Sequence, residues 1–224
     1  MKRLVICSLA VAVSACTRST ADVPTPAPTP PAVEQFQYLL KQGTTTIATE
    51  KVSRSGDRLE AELSLPQQRV VYTAALRPDE TISRIDVQVF APSASTTPTA
   101  VSSAAFQGDS VVLQSKSGDS TRTERRAVAR NAVPYLNPSP SLMEQIVRRA
   151  RAVGGATVEV PLWVPGSGSA AVSATVTFPE AGKARLSVGG TDIDVTLDAS
   201  GRVMGGLVAA QNLVIERAPA EAKP

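Results

Sequence analysis

The sequence predicts a mainly β domain: an antiparallel meander forming a curved sheet or open half-barrel, with one helix at about 140–152 packed on it. Three observations predict it. Apolar residues recur at every second position in short runs, the period of a strand with one buried face. Turn signals built from Gly, Asp, Ser and Pro separate these runs about every ten residues. A single stretch has helical spacing, so strands do not alternate with helices as a parallel sheet requires. A two-sheet sandwich is the alternative arrangement of the same strands.

The strand pattern begins at Glu34. Phe36, Tyr38 and Leu40 alternate with Gln35, Gln37 and Leu39 up to Gly43, and Thr45, Ile47, Thr49 and Lys51 continue a pattern suited to a pleated surface. After the turn Ser55-Gly56-Asp57 come Leu59, Ala61, Leu63 and Leu65, then Val70, Tyr72, Ala74 and Leu76. Ile82, Ile85, Val87 and Val89 follow the turn Arg77-Pro78-Asp79-Glu80. A Ser/Thr/Pro loop from Ala91 to Thr99 interrupts the meander, which resumes with Phe106, Val111 and Leu113 around Gly108-Asp109 and turns again at Ser117-Gly118-Asp119. Glycine at 56, 108 and 118 suits hairpins because it adopts positive φ without steric cost.

Asn137-Pro138-Ser139-Pro140-Ser141 opens the helix. Ser141 with Glu144 has capping-box spacing, and Ser139 as cap with Pro140 in the first turn is the equal alternative. Leu142, Met143, Ile146, Val147 and Ala150 form one apolar stripe. Arg148, Arg149 and Arg151 crowd the last turn, where cations complement the dipole, and Gly154-Gly155 ends it.

Strands then resume. Val158, Val160, Leu162 and Val164 lead to Pro165-Gly166-Ser167-Gly168, and Val172, Ala174, Val176 and Phe178 to Pro179-Glu180-Ala181-Gly182. Leu186 and Val188 precede Gly189-Gly190, then come Ile193, Val195 and Leu197, Val203 to Ala209, and Leu213 to Ile215. The expected total is about ten to twelve strands in a single domain over 34–217, followed by a disordered polar tail, 218–224.

The chain has 224 residues and no histidine, and its only cysteines are Cys7 and Cys16. Histidine-dependent triads and the common histidine metal sites are therefore excluded, and stability rests on the apolar core. No cofactor is expected, and no metal.

Ahead of the domain, Met1-Lys2-Arg3 is basic and Leu4 to Val13 is apolar. That run is too short to span a bilayer, which takes about 20 residues, and it fits the core of a secretory signal. The following Val13-Ser14-Ala15-Cys16 resembles the lipobox of bacterial lipoproteins. The resemblance implies a signal peptide at 1–15, cleavage between Ala15 and Cys16, and lipidation of Cys16. N-terminal acyl chains such as palmitate would then hold the protein on the membrane, each buried methylene contributing about 0.8 kcal/mol. Thr17, in place of the aspartate that retains such proteins on the inner membrane, implies the outer membrane, facing the periplasm.

Loss of Lys2 and Arg3 with the signal lowers the formal charge from +3 to +1, so nucleic acid is not an expected partner. Residues 16–33 read as a lipidated cysteine and a Pro/Thr-rich tether. At roughly 3.1 Å per residue in extended polyproline form, residues 17–33 would reach on the order of 50 Å.

In its strand pattern the tethered domain resembles the half-barrels of outer-membrane lipoprotein carriers and receptors, and related envelope domains of unknown function. That resemblance implies a helix lying over a concave sheet. The preferred reading is a non-enzymatic structural or protein-binding module of the envelope. The alternative is a carrier or receptor for a lipid or other apolar ligand in a cavity beneath the 141–152 helix, lined by Leu142, Met143, Ile146 and the only tryptophan, Trp163. A hydrolase using Glu144 or Glu159 is the third possibility, and no pairing visible in the sequence supports it.

Two charge patterns complete the reading. Asp192, Asp194 and Asp198 share a strand face with spacing suited to solvent exposure more than to a hard cation. Lys116, Arg122, Arg125, Arg126, Arg130, Arg148, Arg149 and Arg151 outnumber Asp119, Glu124 and Glu144 in one segment, which reads as a solvated face or a site for anionic headgroups.

Overall fold

The computed structural model describes residues 32–118, 120–166 and 172–220. The expected signal peptide, Ala15 and Cys16 at its cleavage site, and the tether through residue 31 lie outside the described residues. So do Ser167 and Gly168 of one expected turn, and residues 221–224 of the tail.

Among the described residues, fifteen strands join in one open sheet. Eight run as an antiparallel meander: β1 (Glu34–Gln42), β2 (Thr45–Ser55), β3 (Arg58–Ser64), β4 (Arg69–Leu76), β5 (Ile82–Phe90), β6 (Ala100–Gln107), β7 (Ser110–Ser117) and β8 (Ser120–Ala127). After β9 (Val133–Pro134) and the helix α1 (Pro140–Val153) comes a second meander: β10 (Thr157–Trp163), β11 (Val172–Thr177), β12 (Lys183–Val188), β13 (Thr191–Leu197), β14 (Val203–Val208) and β15 (Leu213–Pro219). The meanders join where β15 pairs antiparallel with β1, setting Ile215 opposite Leu40. The first and last strands thus meet inside the sheet, and β8 and β9 are its edges.

Among the described residues the fold is therefore mainly β with one α-helix on an open sheet, and the sandwich alternative does not form. The sheet is not wholly antiparallel, however. β9 pairs with β10 in parallel, Val133 beside Leu162, because α1 is the crossover between them. The sheet also coils, as a sheet of twisted strands tends to. Its edge strand β9 lies against β5, and Trp163 of β10 meets Phe106 of β6 edge to face, with ring centroids 5.6 Å apart. Inside the coil, α1 packs on β2, β9, β10 and β11.

Local chemistry explains most of the boundaries. Gly56, Gly108 and Gly118 occupy their hairpin turns at φ of 31°, 64° and 58°. Ser139 caps α1, its hydroxyl accepting from Leu142 N at 3.3 Å, and Pro140 opens the first turn. Of the two capping possibilities this is the one that forms, and Glu144 is directed elsewhere. Gly154 ends the helix at φ 83°.

Three expectations are corrected. In β2 the buried face is Ala48, Glu50 and Val52, opposite Leu40, Tyr38 and Phe36 of β1. The register shifts between Leu40 and Lys41, leaving Ile47 as an extra residue, so the alternation read from Ile47 changes face. Ala218 and Pro219, expected in the tail, extend β15 opposite Gln37 and Phe36. The edge strand β8 carries no apolar alternation and is exposed on both faces along most of its length, which is why the expected strand count was low.

Candidate functional site

The apolar stripe of α1 is buried as expected, with Leu142, Ile146, Val147 and Ala150 fully enclosed. In its first turns the polar side is enclosed too. Ser141, Glu144 and Gln145 are buried because the coiled sheet surrounds the helix, and each meets a polar partner from a strand. Without partners, such groups would each cost about 1–3 kcal/mol.

At the N-terminal end the partner is Glu50 of β2. Its Oε1 accepts from the Tyr72 hydroxyl and from Ser139 Oγ, both at 2.7 Å, and its Oε2 accepts from Ser141 N at 2.8 Å. The Tyr72 hydroxyl also meets Ser141 Oγ. Burial pushes the Glu50 carboxyl pKa up, against the pull of these donors, and burial together with the Glu50 charge pushes the Tyr72 phenol up. Glu50 acts as a cap supplied from another element, placing a carboxylate where the helix dipole favours negative charge.

One turn on, Glu144 is the hub. Its Oε2 accepts from the Tyr38 hydroxyl at 2.7 Å, Arg217 Nη1 at 2.9 Å and Val203 N at 3.0 Å, while Oε1 accepts from Arg148 Nε at 2.9 Å. Arg217 continues to Glu34 at 2.5 Å and lies over the Phe36 ring, 3.4 Å from its centroid. The side chains of Arg217 and Glu144 are 6% and 3% exposed, so this is a buried ion pair. Burial, followed by the charge of Glu144, raises the Tyr38 phenol pKa beyond its ordinary range.

The third group faces outward. Gln145 accepts from Arg54 Nη1 at 2.9 Å and donates to the carbonyl of Glu80 at 2.8 Å, while Arg54 Nη2 reaches Glu80 Oε2 at 2.9 Å. Over these residues opens a cleft of about 320 Å³, lined by Ala32, Glu34, Arg54, Gly56, Glu80, Arg148, Ser200 and Arg202. Burial, and next the like charge of Arg148, hold the Arg54 pKa below its usual value. Arg202 reaches Glu34 at only 3.4 Å and Asp198 at 3.8 Å. The cleft walls thus carry three guanidinium groups and two carboxylates.

Three other clefts are described. One of about 550 Å³ lies over Gly205, Gly206 and Leu207, another of about 550 Å³ lies beside Arg151, Phe178 and Leu197, and a third of about 110 Å³ lies beside Arg77 and Phe106. None of the four is lined by Leu142, Met143, Ile146 or Trp163. The first three side chains belong to the packed core, and Trp163 packs against it.

Ala15 and Cys16 lie outside the described residues. The three aspartates do not converge: Asp194 pairs with Arg185 at 2.6 Å, Asp192 accepts from Ser187, and Asp198 organises the turn at Ser200 and Arg202. Among the described residues, no group of carboxylates could hold a metal ion. The basic segment disperses. Arg122 and Arg126 flank Glu124 on β8, whereas Arg148 and Arg149 bond Glu144 and Asp79 instead of the helix end. Glu159 is exposed on β10, whereas Glu144 is enclosed.

Sequence reasoning missed Glu34, Glu50, Arg54, Glu80, Arg202 and Arg217. A signal existed for Glu50, which stands between Ala48 and Val52 at an inward position, and for Tyr38 and Tyr72, phenols on apolar strand faces.

No family model matches this chain, and no curated protein matches it. A crystal structure of a DUF1089 family protein from Pseudomonas aeruginosa is similar to it in fold, with a TM-score of 0.55 at 15% identity, covering 72% of this chain and 89% of that one.

Proposed function

We propose that this chain is a lipid-anchored lipoprotein of the bacterial envelope, its coiled sheet serving as a non-enzymatic binding module at the outer membrane. The observation that carries the anchor is the tetrad Val13-Ser14-Ala15-Cys16 behind a basic start and a short apolar run. Thr17 supports the outer membrane, and the prolines from Pro24 to Pro31 support a spacer that holds the domain off the bilayer. The absence of histidine, and of any cysteine after Cys16, supports binding over catalysis.

Within the domain, the charged cleft is the surface best suited to binding. It opens beside the start of β1, at Ala32 and Glu34, and two of its arginines, Arg54 and Arg148, are held by side chains of the helix, Gln145 and Glu144. The polar groups behind it already have partners, a preorganisation that lowers the ordering cost of binding. A carrier of apolar ligands would need space beside Leu142, Met143, Ile146 and Trp163, and those side chains pack together.

Membrane fractionation tests the anchor. In the host envelope the wild type is expected in the outer-membrane fraction. A Cys16→Ala chain placed behind a cleavable secretory signal, in place of residues 1–15, is expected in the soluble periplasm. Retention of that variant on membranes to the wild-type extent would remove Cys16 as the anchor.

A further inference from the structure

We propose that the cleft between β2, α1 and the Asp198–Arg202 turn binds a phosphate group, held by Arg54, Arg148 and Arg202. The inference rests on the reading of this cleft as the binding surface of the domain and names what it takes.

Arg54 comes from β2, Arg148 from α1 and Arg202 from the segment before β14, so three separate elements bring guanidinium groups to one opening. Each guanidinium has a carboxylate beside it, Glu80 for Arg54, Glu144 for Arg148, and Glu34 and Asp198 for Arg202. Those carboxylates are shared, since Glu34 also accepts from Arg217 and Glu80 from Gln145, so donors on the arginines are left over. Arg148 bonds Glu144 through Nε, leaving both of its Nη groups without a bonded partner among the described residues. Among the described residues, the Arg202 guanidinium makes only the two long contacts already given.

Guanidinium groups suit this task because their forked donors bind phosphate and carboxylate oxygens in pairs. A carboxylate has two oxygens in one plane and is matched by a single fork. A phosphate spreads its oxygens tetrahedrally, so it can accept from donors arriving from different elements. Arg54 is held by Gln145 and Glu80, and Arg148 by Glu144, so both would meet a ligand with little loss of side-chain freedom. The volume, about 320 Å³, lies at the lower end of small-molecule sites, which run to about 300–1,000 Å³. Glu34 and Glu80 at the walls disfavour a large polyanion and favour one phosphate. The same chemistry is offered by a soluble phosphate ester and by a phospholipid headgroup.

The test uses the full chain released from its anchor, carrying Cys16→Ala behind a cleavable signal. Isothermal titration with inorganic phosphate is expected to show saturable binding. Arg148→Gln and Arg202→Gln should each weaken it at least tenfold, and Arg125→Gln on β8 should leave it unchanged. Arg202 is partly exposed, so its variant reports on the site even if Arg148→Gln perturbs the fold, which circular dichroism checks. Co-sedimentation with phosphatidylcholine vesicles, with and without phosphatidylglycerol, separates the sources. Saturable binding of inorganic phosphate supports the site with a soluble ligand. Binding seen only with phosphatidylglycerol vesicles, and lost in the same two variants, supports it with a lipid headgroup. No saturable binding in either arm, or binding indifferent to Arg148→Gln and Arg202→Gln, overturns the inference. The anchor is read separately by fractionation, so the two failures are distinguishable.

Discussion

Replacing Glu144 by alanine is expected to cost about 3–5 kcal/mol of folding stability, the range seen when one partner of a buried ion pair is removed. Arg217 would keep Glu34 but lose the carboxylate that neutralises it inside the coil, and Tyr38 and Val203 N would lose their shared acceptor. Against a domain stability of about 5–15 kcal/mol, that is a large share. Urea unfolding should show it as a lower midpoint at unchanged slope. Glu144→Gln should lose less, since an amide oxygen still accepts a hydrogen bond. The double replacement Glu144→Leu with Arg217→Met should recover part of the loss, because the charges it leaves without these partners, Arg148 and Glu34, are the more exposed ones. A loss below about 1 kcal/mol for Glu144→Ala would place the pair in the range of exposed salt bridges and contradict its burial.

Glu50 carries the second large effect, and with it a pH dependence. Glu50→Ala leaves Ser141 N and the hydroxyls of Ser139 and Tyr72 without their common acceptor at the start of α1, an expected loss of about 2–4 kcal/mol. Burial raises the native pKa of this carboxyl above its unfolded value. Between the two values the folded chain keeps a proton that the unfolded chain has released, so stability falls as pH rises through that window. Glu50→Gln has no such proton. The stability of wild type minus that of Glu50→Gln should therefore decrease from about pH 4 upward and level off above the native pKa. Urea midpoints for both proteins across pH 4 to 8 measure it. A difference that stays flat would mean that folding does not shift this group.

These two carboxylates also mark the limit of what could be read from the sequence. The apolar stripe of α1 and the inward residues of most strands were legible because a period of two or of three to four reports a buried face directly. Glu144 was legible as a local capping residue, three positions after Ser141, and as a candidate catalytic carboxylate with no visible partner. Its actual partners are Tyr38 and Arg217, brought to it by the pairing of β1 with β15, and no local pattern encodes that closure. The change of face in β2 was hidden by one extra residue, Ile47, since a bulge reverses every later assignment on the strand. The parallel β9 has two residues and β8 is polar on both faces, so neither leaves a hydrophobic period to detect. The cleft assembles residues separated by more than a hundred positions, each unremarkable as a surface charge in its own segment.

The proposed tether and the proposed phosphate site act together only if the chain is anchored through Cys16. The most direct measurement is mass spectrometry of the N-terminal tryptic peptide from protein extracted from host membranes. The expected result is Cys16-Thr17-Arg18 at the mature N-terminus, carrying a diacylglyceryl group on sulfur. A mature chain that starts at another residue, or an unmodified Cys16, would contradict the proposed anchor.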